Sequence, residues 1–99
     1  GMTLDICHAQ LYCNFAKEDI VEYIKIVLPY IRHMHISDAI GIAGEGIQIG
    51  EGTMDFDLIF KTLEKRKFSW VPEIWQGHNN HGIGFYEAFK RLSRFKKII

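Results

Sequence analysis

The segment His33-Met34-His35-Ile36-Ser37-Asp38 closes a short apolar run with polar side chains, and two other segments do the same. They are Asp5-Ile6-Cys7-His8-Ala9 and Val71-Pro72-Glu73-Ile74-Trp75, and helical patterns separate all three. Successive parallel strands would bring these polar ends together at one edge of a sheet. Because Asp, His and Glu are all metal-ligand types, the pattern predicts one site of mixed nitrogen and oxygen ligands.

Around these segments the chain alternates strand and helix three times. Strands are predicted at residues 3–9, 33–37 and 70–75, and a helix is predicted at 17–31, where Pro29 kinks or ends it. Asp55 is a predicted N-cap for the second helix. The third helix is predicted to turn five side chains inward: Phe85, Ala88, Phe89, Leu92 and Phe95. The order βαβαβα predicts an α/β fold with a parallel sheet, whose ligands gather at the carboxyl ends of the strands.

The connection after the second strand is rich in glycine, with five glycines between residues 41 and 52. This composition predicts a long flexible loop of the kind that often carries function.

Composition indicates one ordinary globular domain over residues 1–99. Hydrophobic residues make up 47% of the chain and charged residues 24%, which favours neither a disordered nor a fibrous class. No apolar run approaches the length of a membrane span, and no basic segment leads into an apolar stretch at the N-terminus. We therefore expect a cytoplasmic protein with no membrane contact. The formal net charge of zero argues against nucleic acid as a partner.

The strand-end segments also carry a family resemblance. In the order and spacing of four segments, the chain resembles the C-terminal part of the xylose isomerase-like TIM barrels. The segments are Leu4-Asp5-Ile6-Cys7-His8-Ala9, residues 33–38, Ile49-Gly50-Glu51-Gly52-Thr53-Met54-Asp55-Phe56 and Pro72-Glu73-Ile74. That superfamily includes sugar isomerases, ketose 3-epimerases, inosose dehydratases and the endonuclease IV type of DNA repair nuclease. The resemblance implies that the βαβαβα block corresponds to the last three of eight barrel units.

The resemblance implies roles for single residues. Asp5, His35 and Glu73 would bind a divalent metal ion (Mn, Mg, Co or Zn), and Glu73 would also be the catalytic acid or base. His8 would contact the substrate, and Asp38 would contact the substrate or orient ligands from beside the same strand end. From sequence alone, structural roles stay open as well: a turn carboxylate for Asp5, a core histidine for His35 and a strand-end salt bridge for Glu73.

A complete barrel takes about 250 residues, so the earlier strands that supply a further acid/base Glu have no counterpart in this chain. Isomerisation of a ketose needs a base on one side of the reacting carbon and an acid on the other, and Glu73 can be only one of the two. Glu45 and Glu51 are candidates for the second group, but we expect the surrounding glycines to hold them poorly.

An open block of this kind exposes unpaired backbone at its first and last strands. We expect a homo-oligomer, or association with the missing barrel half, to cover these edges. Candidate aromatic side chains for such a contact are Tyr12, Phe15, Trp70 and Trp75.

The leading hypothesis is a metal-dependent isomerase or epimerase that acts on a small carbohydrate or sugar phosphate. The alternatives are a non-catalytic truncated-barrel module for binding or assembly, and a relative of the endonuclease IV-type nucleases. The nuclease is less favoured, because its site takes a further Asp-x-His from the loop after the histidine strand, and residues 39–50 contain neither Asp nor His. One observation favours the nuclease: the predicted final helix is basic, with Lys90, Arg91, Arg94, Lys96 and Lys97.

Overall fold

Three parallel strands form the central sheet of the computed structural model, which describes residues 1–64 and 66–95. They are β1 (Met2–Asp5), β2 (Ile31–Ile36) and β5 (Ser69–Pro72), in the spatial order β1-β2-β5. Asp5 of β1 lies opposite His35 of β2, and His35 lies opposite Val71 of β5. The predicted α/β fold with a parallel sheet and alternating strands and helices is therefore confirmed.

Two helices, α1 (Ile6–Ala16) and α2 (Ile20–Val27), connect β1 to β2; α3 (Phe56–Leu63) precedes β5, and α4 (Asn79–Leu92) follows it. Short 3₁₀ turns follow α2 at Leu28–Tyr30 and α4 at Ser93–Phe95. The predicted helix over 17–31 was too long, because Pro29 lies in the first of these turns and Ile31 already begins β2. Asp55 caps α3 as predicted, since its side chain accepts a hydrogen bond from the Leu58 N–H at 3.1 Å.

The first predicted strand, residues 3–9, was also too long. β1 ends at Asp5, whose Oδ1 accepts a hydrogen bond from the His8 N–H at 3.0 Å and so caps α1. This cap turns the chain into a helix in the middle of the apolar run. As a result His8 lies in the first turn of α1 rather than on a strand.

The core lies on one face of the sheet. Buried side chains of the strands (Leu4, Met34 and Ile36) pack there against buried side chains of α2, α3 and α4 (Ile24, Ile59, Phe60, Leu63 and Leu92). Side chains that alternate with them along the strands point to the other face. Those of Thr3, His33, His35 and Val71 are partly or fully exposed.

The predicted inward face of the last helix is correct in part. Ala88 and Leu92 are fully buried, and Phe95 packs on Phe60 with 4.7 Å between ring centroids. Phe85 and Phe89 remain 37% and 56% exposed, which corrects the prediction for these two. The reason is that α4 packs against β5, an edge strand, so that only one side of the helix has a sheet to cover.

The glycine-rich segment is an ordered hairpin rather than the predicted flexible loop. It forms two antiparallel strands, β3 (Asp38–Ile40) and β4 (Gly44–Ile47), followed by a tight turn. Asp38, which is fully buried, organises this turn through both carboxylate oxygens. They accept hydrogen bonds of 2.8–3.1 Å from four backbone N–H groups, those of Ala39, Gly50, Gly52 and Met54.

Arg91 fastens the end of the same segment to α4. Its Nη1 donates to the Ile49 carbonyl at 2.7 Å and to Glu51 Oε2 at 3.0 Å. Its Nε donates to Glu87 at 3.1 Å. The Arg91 guanidinium is therefore bound within the fold and is not available to an external phosphate. Lys96 and Lys97 of the same basic stretch lie outside the described residues.

The two outer strands each pair only with β2 in the part of the chain that the structure describes. Of the four aromatic side chains predicted for a contact surface, Tyr12, Phe15 and Trp75 are 51%, 73% and 72% exposed, whereas Trp70 is half-buried. None of the described helices has both the length and the apolar character needed to span a bilayer.

Candidate metal centre

Asp5, His35 and Glu73 converge at the carboxyl end of the parallel sheet. One ligand atom of each lies within 4.8 Å of the others, and His35 Nδ1 is 3.2 Å from Glu73 Oε2. The strand register explains the convergence. Asp5 is the last residue of β1 and lies directly opposite His35. Glu73 follows β5, and its N–H donates to the Ile36 carbonyl at 2.9 Å, so Glu73 lies beside the end of β2.

The donor set suits a divalent ion. Two carboxylates and one imidazole form a mixed set of the type that binds Mn, Mg, Co or Zn. The side chains of Asp5, His35 and Glu73 are 26%, 33% and 51% exposed, so ligand positions toward solvent stay open. Three protein ligands with an open position are the pattern of catalytic rather than structural metal sites.

A cleft of about 370 Å³ adjoins these side chains. Four ionisable residues line it: Asp5, His8, Glu45 and Glu73. The other lining residues are Ser37, Gly46, Ile74, Trp75, Gln76 and Phe85. Its volume lies in the range of small-molecule sites. A larger hollow of about 540 Å³ lies between α3 and α4, but Arg91, one of its basic side chains, is already bound to Glu87 and Glu51. The smaller cleft, which Asp5 and Glu73 line, is the candidate functional site.

His8 connects one metal-ligand candidate to a second carboxylate. Its Nδ1 lies 2.9 Å from Asp5 Oδ2 and its Nε2 lies 2.6 Å from Glu45 Oε2. The hydrogen bond to Glu45, followed by that to Asp5, raises the pKa of His8 above its ordinary value. The pair of carboxylates therefore favours a protonated imidazole with both N–H groups donating.

We expect His8 in the metal-free protein to titrate above 6.5, its ordinary pKa. Because the pKa is raised in the folded state, protonation of His8 stabilises the fold. This stabilisation is complete below about pH 6.5 and is lost as the pH rises through the folded pKa. NMR titration of the His8 ring after chelator treatment measures the shift, and Glu45→Gln should reduce it. Titration at or below 6.5 would contradict the assigned contacts.

Glu45, which the surrounding glycines were expected to hold poorly, lines the cleft and contacts His8. The hairpin holds it on β4, and two hydrogen bonds fasten the hairpin over the strand ends: Trp75 N–H to the Gly46 carbonyl at 2.9 Å, and Asn14 Nδ2 to the Gly41 carbonyl at 2.7 Å. Gly46 has φ +66° and an added Cβ would lie 2.9 Å from the Trp75 Cβ, so this contact requires glycine. Both contacts join segments distant in sequence, and no local pattern signals them.

Other predicted or neighbouring residues lie outside the cleft. Asp38 is fully buried and engaged with four backbone N–H groups, so its geometry gives no support to the expected substrate contact. His33 bonds Ser69 Oγ through Nδ1 at 2.7 Å, and its ring meets the edge of His35 at 5.2 Å between centroids. Glu51 is bound to Arg91 of α4 and is not among the residues that line the cleft.

Comparison with known protein families gives one match. The family model described as "Xylose isomerase-like TIM barrel" matches residues 1–92 of the chain. Comparisons with curated proteins and with solved structures found no match. The match covers β1 through α4 and confirms the resemblance that the strand-end segments carry.

Proposed function

The chain belongs to the xylose isomerase-like TIM barrel family, and from this premise we propose that it is a metal-dependent sugar isomerase or epimerase. The observation that carries the proposal is the convergence of Asp5, His35 and Glu73 within 4.8 Å beside an open cleft. A small carbohydrate or sugar phosphate is the proposed substrate, in keeping with the volume of the cleft and the net charge of zero.

In this proposal Asp5, His35 and Glu73 would hold the divalent ion, and the ion would supply positive charge that stabilises negative charge developing on a substrate oxygen. Glu73 accepts the proton from the carbon beside the carbonyl, because it is the triad residue with the most exposed side chain. His8 lines the same cleft, and a sugar hydroxyl that displaces Glu45 from His8 Nε2 would accept its hydrogen bond.

We further propose that the outer edges of β1 and β5 are covered in the working protein, by a second copy of the chain or by further barrel units. The observation behind this is that both strands pair only with β2 among the described residues. An exposed strand edge is a template for pairing with a further strand, and purely parallel sheets are normally covered on both faces. If such an assembly forms without metal binding, the non-catalytic binding or assembly module becomes the better description.

The test is epimerisation by the purified protein, freed of metal with a chelator and then supplied with Mn²⁺, Mg²⁺, Co²⁺ or Zn²⁺. Free and phosphorylated ketoses are the substrates, and sedimentation of the same samples gives the oligomeric mass. We expect metal-dependent product that Glu73→Gln lowers by about 100-fold or more. Glu64→Gln, an exposed glutamate at the end of α3, is the matched control. Metal-independent product, or none with any metal, would overturn the proposed activity.

A further inference from the structure

The cleft beside the candidate metal ligands is lined by three carboxylates, those of Asp5, Glu45 and Glu73. Among the described residues that line it, none is Lys or Arg. We propose that the cleft selects an unphosphorylated, uncharged sugar, and that Glu45 is the residue that excludes a phosphate ester. This inference rests on the proposed isomerase or epimerase function and narrows its substrate class.

His8 is the one side chain able to carry positive charge among the described residues of the cleft, and both of its ring nitrogens are occupied. Its Nδ1 lies 2.9 Å from Asp5 Oδ2 and its Nε2 lies 2.6 Å from Glu45 Oε2. A phosphate that took the place of Glu45 on His8 would lie beside the displaced carboxylate. Because the two groups carry like charge, this arrangement is costly.

A hydroxyl group suits the pair of His8 and Glu45 in a way that a phosphate does not. A hydroxyl both accepts and donates, so it can accept a hydrogen bond from protonated His8 Nε2 and donate one to a Glu45 oxygen. A phosphate dianion has only acceptor oxygens and would leave Glu45 without a donor. A site that hydrogen-bonds a substrate hydroxyl discriminates strongly against a ligand that cannot complete the pattern.

Two backbone N–H groups at the cleft are engaged within the fold and do not replace the missing cations. The Trp75 N–H donates to the Gly46 carbonyl at 2.9 Å. The amino end of α1, where an anion could otherwise bind, is capped by Asp5, whose Oδ1 accepts from the His8 N–H at 3.0 Å. The Asp5 carboxylate therefore occupies the place that a phosphate would need there.

The apolar part of the cleft suits the C–H groups of a sugar. Trp75 and Phe85 line it together with Ile74, and the two aromatic residues are 72% and 37% exposed. The face of an aromatic ring is the negative side of its quadrupole, so it favours C–H groups over an anion. A neutral sugar can present hydroxyls to the carboxylates and C–H groups to these side chains at the same time.

The experiment compares D-fructose with D-fructose 6-phosphate, and D-xylulose with D-xylulose 5-phosphate, by calorimetric titration of the Mg²⁺-loaded protein. Wild type should bind each free ketose at least about 10-fold more tightly than its phosphate ester. Glu45→Gln keeps an acceptor oxygen but loses the charge, so it should raise the affinity for each ester about 10-fold and change that for the free ketose less than about 3-fold. Glu64→Gln, which removes the same charge from the end of α3, outside the cleft, should bind as wild type does.

A second measurement needs no variant and decides the matter even if circular dichroism shows that Glu45→Gln does not fold. Salt screens repulsion between exposed charges. Raising the NaCl concentration from about 20 to about 200 mM should therefore strengthen the binding of each ester to wild type relative to that of the free ketose. A relative weakening would show net attraction of the phosphate and would overturn the inference.

The outcomes separate this inference from the proposed function. Tighter binding or faster epimerisation of an ester than of its free ketose would overturn the selection assigned to Glu45 and leave the proposed activity standing. Equal affinity of wild type and folded Glu45→Gln for an ester would also overturn the role of Glu45. If metal-loaded wild type binds neither form of either ketose, the proposed function fails and the inference fails with it.

Discussion

Asp38→Ala is expected to lower the free energy of unfolding by about 4 kcal/mol, a large share of the total stability of a small domain. The change removes both acceptors of four backbone N–H groups in and beside the hairpin segment. Each donor left buried without an acceptor costs about 1–3 kcal/mol, and partial access of water to the vacated space reduces the sum. Urea unfolding followed by circular dichroism measures the effect.

Asp57→Ala is the matched control for this change. Its side chain is 79% exposed and faces Arg94 at 4.0 Å, so its loss should alter stability by less than about 0.5 kcal/mol. The comparison also separates the two roles considered for Asp38. A substrate contact would predict near-normal stability with impaired ligand binding, and a loss of stability below about 1 kcal/mol would contradict the anchoring role assigned to Asp38.

His35→Ala is expected to weaken binding of Mn²⁺ or Zn²⁺ by roughly 100-fold or more, because even the loss of a partner outside the ligand set lowers metal affinity about 10–100-fold. His35 supplies the only nitrogen of the three-residue cluster and lies on β2, between β1, which ends at Asp5, and β5, which Glu73 follows. Calorimetric titration of chelator-treated protein measures the affinity, and Asp5→Ala and Glu73→Ala should show comparable losses.

His33→Ala provides a control from the same strand. His33 lies two residues away on β2, touches the His35 ring and bonds Ser69, but it is not a member of the cluster. Its removal should change metal affinity by less than a ligand substitution does. Equal losses for His33→Ala and His35→Ala would show that disturbance of the strand, rather than loss of a ligand, explains the result.

The sequence allowed the sheet and the convergence of Asp5, His35 and Glu73 to be predicted, because each residue lies at or beside the carboxyl end of a short apolar strand. Parallel strands fix where such ends meet. The sequence did not allow the boundary between β1 and α1 to be predicted. Asp5 serves both as the last residue of a strand and as the cap of a helix, and the apolar residues after it suit either element equally well.

The sequence by itself determined the family, the α/β class and the three residues at the carboxyl edge, since these depend on local periodicity and on the order of elements along the chain. Only the tertiary structure decided that Asp38 anchors the hairpin and that Glu45 reaches the cleft. Asp38 bonds Gly50, Gly52 and Met54, 12 to 16 residues away. Glu45 meets His8 from 37 residues away. Such contacts form when distant segments pack, and the glycines that permit them carry no side-chain pattern from which they can be predicted.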